Sequence, residues 1–386
     1  MHSIQVHKVI GLIISAFYLI GVWHRGDKPT VKEMRMKLFY CIYFPLFLLS
    51  TVVGAKTNEN RDEAIFLGEM SMGVVVLCVN LWLLVWKQNE ILNLLNRVCV
   101  FSIRNEDDYL TYNAKMRVFT KFVFVFIFAA ITAGSLGSIA FPFVGSEKTL
   151  FLKIAFPLDY KSSEFAFWIA TAFLFTETVL IITFAIFSVV IWYLLLICAL
   201  RYEVLGSEIK NMGQVSIKNG NVKMTETQRH INFFEDLKTS IKAHLHLREL
   251  VNDVELFFSD LFFIQFGTSG LCICASIYFL AFDVGDNLLE RYIYGFLFFY
   301  FISHLFMITY FGNEIMLSSN RLSYCLFESD WYNQPQSTKK CIIIFGEYLK
   351  QPQTLVVGKL YPLTLETFMR ILNSAYSMFN ILKSFQ

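Results

Sequence analysis

The chain has 386 residues, 55% of them hydrophobic and only 17% charged, with a formal net charge of +2 and a mean hydropathy of +0.51. That is too apolar for a water-soluble domain around one ordinary core, so the composition points to an all-α polytopic membrane protein. Lys and Arg are spread along the chain instead of clustered, which gives no reason to expect a nucleic-acid partner. Nucleophile-elbow, phosphate-loop and HExxH signatures are missing, so neither an enzyme, a cofactor nor a metal site is expected.

In chain order, the first apolar stretch is "VIGLIISAFYLIGV" at 9–22. It is short for a span that needs about 20 residues, and it predicts a re-entrant or interfacial segment. A cleaved signal is the alternative, but "WHRGD" after it offers no small-x-small cleavage site. Seven stretches are long enough to span: roughly 36–54, 65–86, 118–143, 165–200, 254–282, 292–312 and 360–383. The fourth exceeds what a bilayer needs, so its lower part is predicted to project beyond it.

The connections alternate between short (55–64, 144–164, 283–291) and long (87–117, 201–253, 313–357). Lys and Arg number 6 in the short set and 17 in the long set, with five more in residues 1–35. The positive-inside rule then favours a cytoplasmic N-terminus, although the bias vanishes per unit length. Cys99, Cys325 and Cys341 all fall in long connections and none in short ones, which leaves no pair for an extracellular disulfide. No N-x-Ser/Thr sequon is present.

The long connections themselves read as helix. Residues 225–264 contain no Gly or Pro and run straight into the fifth span, with Ile231, Phe234, Leu237, Ile241, Leu245 and Val251 near helical period. "WKQNEILNLLNRVCVF" and "QSTKKCIIIFGEYL" also show apolar residues at helical spacing, so a helical cytoplasmic layer is predicted. Without internal repeats or low-complexity linkers, residues 1–386 form a single domain. His244 and His246 lie two apart and point in different directions on a helix, so surface histidines explain them better than a metal site.

The last span carries a polar stripe: Glu366, Arg370, Asn373, Ser377, Asn380 and Ser384 fall within about 40° of one line at about 100° per residue. Such a stripe should face protein or water, not lipid. Other ionisable residues in spans are Glu69, Lys121, Glu177, Asp260 and Glu314; all but the deeper Glu177 sit near helix ends, where snorkelling explains them. The outer halves of the spans hold what a small apolar ligand would meet: Phe66, Met70, Ser135, Ser138, Trp168, Thr171, Phe175, Tyr294, Phe298 and Phe301. Plain helix packing explains any one of them equally well, and Gly134 and Gly137 need only permit close helix approach.

At the C-terminus, "LSYCLFESDWYN" and then "KQPQTLVVGKLYPLTLETFMRILNSAYSMFNIL" resemble the signature of the insect odorant receptors, as does "FPLDYKSSEFAFW" before the fourth span. The resemblance is strong over about 90 residues, and the seven-span layout extends it along the chain. It implies a cytoplasmic N-terminus and an odorant-gated, non-selective cation channel in the plasma membrane of an olfactory neuron dendrite, a heterotetramer with a co-receptor subunit. It also implies a volatile ligand held in the outer half (about 36–200 and 254–312) and an anchor plus pore helix at about 313–386. Carried over by position, the anchor falls on Pro362, Leu363, Leu365, Glu366 and Phe368, with Arg370 beside them. The gate falls near Ile381, with Ser377, Asn380 and Ser384 on the pore side. Lys383 departs from the usual apolar pore helix. The loop at 201–253 is far shorter than a co-receptor's, so the resemblance is to an odorant-specific tuning subunit. A G-protein-coupled receptor is a rival seven-span reading, but the Asp-Arg-Tyr and N-P-x-x-Y steps are missing; a secondary transporter is another, but paired interrupted helices are missing too.

Overall fold

The computed structural model describes residues 2–26, 28–140, 143, 149–213, 225–282 and 288–384. The predicted connections 144–164, 201–253 and 283–291, and the end of the third predicted span, lie partly outside them. Among the described residues the helices are α1 Lys8–Ile20, α2 Val31–Thr57, α3 Arg61–Trp86, α4 Gln88–Cys99, α5 Glu106–Ser135, α6 Glu164–Lys210, α7 Glu226–Ala281, α8 Leu288–Glu328, α9 Gln336–Leu349 and α10 Leu365–Ser384. A π turn, Leu136–Ala140, extends α5. Two small antiparallel pairs complete the fold: β1 His2–Ile4 with β2 Phe101–Ile103, and β3 Val356–Val357 with β4 Tyr361–Pro362.

Among the described residues six helices are long and apolar enough to cross a membrane: α2, α3, α5, α6, α7 and α8. The seventh predicted span, α10, has 20 residues, about 30 Å of helix, but its polar stripe keeps it out of that apolar set. The chain is thus an all-α polytopic membrane protein built on helices, which satisfy every backbone hydrogen bond within one segment. Helix α1 does not cross. The His7 amide at its start donates to the Tyr193 hydroxyl (3.0 Å), and β1 pairs with β2 beyond α4. At its other end, after a left-handed turn at Gly21, the Trp23 indole donates to the Leu84 carbonyl (2.9 Å). His24 and Gln88 exchange hydrogen bonds of 3.0 and 2.6 Å. Both ends of α1 are therefore tied to the same end of the bundle, the base that carries the long connections.

Opposite the base, the α2–α3 turn is fixed by Asn60, whose side chain accepts from the Asp62 and Glu63 amides. The segment after α5 lies across this outer end: the Ala155 amide donates to the Ser50 carbonyl (3.1 Å), and Lys153 pairs with Glu63. Helix α6 is the axis of the bundle, and residues 187–200 are buried without exception. Helices α7 and α8 flank it, and α10 packs against both.

Beyond the membrane-length portion, α6, α7 and α8 continue into the base and meet α4 and α9, which forms the predicted helical layer. The Arg201 guanidinium donates to the Arg97 and Val98 carbonyls (2.9 and 3.1 Å), satisfying the C-terminal end of α4. Arg97 pairs with Asp253 (2.7 Å), Lys210 with Glu328 (2.9 Å), and Arg248 donates to the Tyr348 hydroxyl (2.8 Å). His244 is buried among Tyr202, Phe345 and Tyr348, whereas His246 is exposed.

The layer hands the chain to α10 through the β3–β4 hairpin. Its three-residue turn, 358–360, places both Gly358 and Lys359 at positive φ (57° and 60°) and is closed by the Leu360 amide donating to the Val357 carbonyl (3.0 Å). For this reason α10 starts at residue 365 and not at 360 as predicted. Gly312 on α8 makes room: a β-carbon there would stand 2.8 Å from Leu363 Cβ and closer still to the Leu363 carbonyl oxygen.

Gly312→Ala should therefore force α8 and the start of α10 apart, costing about 1–3 kcal/mol, read as a lower melting temperature of the detergent-purified protein. Burial, reinforced by Arg248, pushes the His244 imidazole down to about 4. The unfolded chain gains this proton near pH 6.5 and the folded chain only near 4. Stability should fall as pH drops through that window, by up to roughly 3 kcal/mol, and His244→Phe should flatten the fall in a melting-temperature series against pH.

Candidate ligand cavity and polar helix face

In the outer half of the bundle, α3, α5, α6 and α8 splay around a cavity of about 140 Å³. Met70, Gly73, Val74 and Leu77 line it from α3, Ala130, Ala133 and Gly134 from α5, and Gly137 and Ser138 from the π turn. Leu174, Thr178, Ile181, Ile182 and Ala185 come from α6, and Ile293, Phe296, Leu297, Tyr300 and Phe301 from α8. Phe151 and Leu152 close the outer side. The wall is almost wholly apolar. Ser138 and Thr178 spend their hydroxyl protons on the Gly134 and Leu174 carbonyls (2.7 and 2.8 Å), which leaves oxygen lone pairs as acceptors. Small-molecule pockets have this character: apolar walls with few polar groups.

Of the ten residues expected from sequence, Met70, Ser138 and Phe301 line the cavity. Phe66 and Tyr294 stand one layer behind it, edge to face with each other at 5.1 Å and packed against Phe279. Ser135, Trp168, Thr171, Phe175 and Phe298 do not line it. The reason is mostly rotational. On α6 the cavity face runs through Leu174, Thr178, Ile181, Ile182 and Ala185, and Trp168 points about 100° from its centre at 100° per residue, Phe175 about 100° from Leu174 at the same level; both are exposed. Thr171 points the same way as the face but lies about a turn beyond it. Ser135 and Phe298 are turned away from the cavity faces of their own helices by a similar angle. The sequence reading missed Thr178, Tyr300 and the 149–152 segment, which no single-helix pattern signals. Gly134 does serve close approach, since a β-carbon there would stand 2.8 Å from Thr178 Cγ2, but it and Gly137 also line the cavity.

One carboxylate behaves differently from expectation. Glu69 is not snorkelling: it is buried, and one oxygen accepts from the Ser276 hydroxyl of α7 (2.5 Å). Glu177 is fully buried, neither oxygen has a hydrogen-bonding partner among the described residues, and it does not line the cavity.

Helix α10 divides into two faces. Phe368, Ala375 and Phe379 are buried, Phe368 against Phe306 of α8 and Phe379 against Phe282 beyond α7. All six residues of the polar stripe are exposed, as is Ile381. Of the expected anchor residues, Leu363 and Phe368 are buried and Leu365 half-buried, while Pro362, Glu366 and Arg370 are exposed. Glu366 and Arg370 pair with each other along the helix (2.8 Å).

A largely apolar cavity inside a polytopic helical bundle, together with a last described helix that leaves a polar face open, places the chain among the helical membrane proteins with room for a small molecule. The 7tm Odorant receptor family matches residues 63–376, and the chain belongs to that family, the insect odorant receptors. It is 22% identical to odorant receptor 94a of Drosophila melanogaster over 96% of each chain. It is 26% identical to odorant receptor Or2 of Anopheles gambiae over 39% of each chain, so that similarity spans about two fifths of the relative's length. Among solved structures, the insect olfactory receptor OR5 from Machilis hrabei superposes with a TM-score of 0.81 at 13% identity, over 97% of each chain. The same receptor in complex with eugenol gives 0.79 at 14% identity over 98% of each chain.

If the cavity is where a small molecule binds, Gly137→Leu should fill it. A β-carbon at 137 meets only side-chain carbons at ordinary distances (3.5 Å), so the fold should survive. Thermal stabilisation by any apolar volatile that protects the parent protein should be lost.

Proposed function

We propose that this chain is an odorant-specific subunit of a ligand-gated, non-selective cation channel. It assembles, with a co-receptor subunit, as a tetramer in the plasma membrane of an olfactory neuron. The observation that carries this reading is the apolar cavity of about 140 Å³ walled by α3, α5, α6 and α8. Its volume and apolar lining suit a small volatile with few polar atoms, and the related fold of OR5 is known in complex with eugenol. The tuning role rests on the short connection at 201–253, and the cytoplasmic placement of the base on the family resemblance together with the basic residues of the long connections.

The open stripe of α10 supplies the conduction path. Asn373, Ser377, Asn380 and Ser384 are too polar to face lipid, and four such helices around one axis would present them to water. Ile381 would narrow the outer end. The cavity does not touch α10 directly; Phe301 and Tyr300 of its wall belong to α8, and α8 packs on α10 through the Phe306–Phe368 contact. A ligand can open the pore only by binding the open arrangement more tightly than the closed one.

Current recording in cells, with and without the co-receptor and across a panel of volatiles, tests the reading; silence in every combination overturns it. Within a responsive pair, Ile381→Ser should raise ligand-independent current several-fold, whereas Glu366→Ala should reduce the amount of assembled channel without raising basal current. Equal behaviour of the two variants would contradict the division of α10 into an anchoring and a conducting half.

A further inference from the structure

Beside the apolar cavity, toward α7, lies a second and much smaller one. Gly73, Leu77, Tyr300 and Phe301 belong to the walls of both. Its volume is about 20 Å³, and about 10–15 Å³ is enough for one water-sized group but not for a carbon skeleton. Its wall carries more polar groups than its neighbour's: Gln265, Thr268 and Ser269 of α7 and His304 of α8 join Gly73, Val76, Leu77, Tyr300 and Phe301. Gln265, Ser269 and His304 are 2%, 5% and 7% exposed, so bulk water does not solvate them.

The hydrogen bonds within this cluster leave one kind of group unused. With the Gln265 amide nitrogen turned toward His304, Nδ1 accepts from it, and the ring's Nε2–H then donates to the Ser188 hydroxyl oxygen of α6 (2.6 Å). Thr268 and Ser269 donate to carbonyls of their own helix, Thr268 to Ile264 and Ser269 to Gln265 (3.0 and 2.6 Å). What remains is the Gln265 Oε1 acceptor, buried and without a partner among the described residues, beside the hydroxyl lone pairs of Thr268 and Ser269. A buried acceptor with no donor carries its full desolvation cost. The complement to this wall is a small group bearing an O–H.

We propose that the small cavity is a hydroxyl-binding subsite, holding one O–H group that donates to Gln265 Oε1. The group is either an ordered water or the hydroxyl of an alcohol or phenol whose carbon skeleton occupies the larger cavity, reaching past Tyr300 and Phe301. The ligand arm of this inference rests on the odorant-binding reading; the water arm does not. The subsite also lies on the helix that holds the pore segment: Ile371 of α10 packs 3.6 Å from the β-carbon position at Gly270, next to Ser269.

Two measurements decide it. In a cryo-electron-microscopy map of the ligand-free assembled receptor, sharp enough to show waters, a single density within hydrogen-bonding distance of Gln265 Oε1 is expected. In current recordings, matched probes such as eugenol and its O-methyl ether, and 1-octanol and its methyl ether, are compared on the parent receptor and on Gln265→Leu. Because a site built around a hydrogen bond rejects analogues lacking it, a ligand hydroxyl predicts potency for the alcohol at least about tenfold above the ether, abolished in the variant. Ser269→Ala, which leaves the His304 contact in place, should weaken the same preference if Gln265→Leu fails to reach the surface. Density with no alcohol preference assigns the site to water. Neither density nor preference overturns the proposal. If no probe evokes current, the map alone decides, so failure of the channel reading stays distinguishable from failure of this one.

Discussion

Helix α6 is buried on every face between residues 187 and 200, where only Ser188, Trp192 and Tyr193 carry a polar group, and a helix without a polar face has to be enclosed on every side. Lipid alone could enclose such a helix within hydrocarbon, but these residues are buried by protein throughout, and α6 continues past them into the helical layer. Protein must supply the cover. Helices α7 and α8, each far longer than a bilayer, follow α6 down and provide it, while α4 is tied to α6 by Arg201 across its last carbonyls. The base is therefore a consequence of the length and all-round apolarity of one helix, and α1, α9 and the β3–β4 hairpin are fitted to it.

The outer half follows the opposite logic. Above residue 187, α6 regains half-buried and exposed positions, and its neighbours diverge. The space left between α3, α5, α6 and α8 is lined by small residues, Gly73, Ala130, Ala133, Gly134 and Gly137, where larger side chains would have closed it. Packing is closed in the base, and the room for a small molecule lies in the outer half. The carboxylate of Glu69, buried against Ser276, joins α3 to α7 beside that void.

Much of this was legible in the chain itself. The boundaries of α3 and the start of α6 fall within a few residues of the apolar stretches, and the continuous helix through 225–264 follows from a run without Gly or Pro. What escaped depends on tertiary context. The sequence of α8 past residue 312 is amphipathic enough to be either loop or helix until α6 and α9 cover it, and α10 begins late because a hairpin with two positive φ angles precedes it. The cavity was only partly visible: Met70, Ser138 and Phe301 are on it, but which residues face inward is fixed by the rotation of four helices about their own axes. That rotation is set by packing partners far apart in sequence. The Gln265–His304–Ser188 cluster was invisible for the same reason, since its members lie on three helices.

The central claim is that the polar stripe of α10 faces water in the assembled protein while Phe368, Ala375 and Phe379 hold the helix to its own subunit. Substituted-cysteine accessibility tests it directly, in a background with the exposed Cys341 replaced by serine. Single cysteines at 373, 377, 380 and 384 should react with a membrane-impermeant thiol reagent, faster in the presence of an activating volatile, and cysteines at 368, 375 and 379 should not. Equal reactivity of the two sets, or protection of the stripe with reaction of the buried face, would contradict the account.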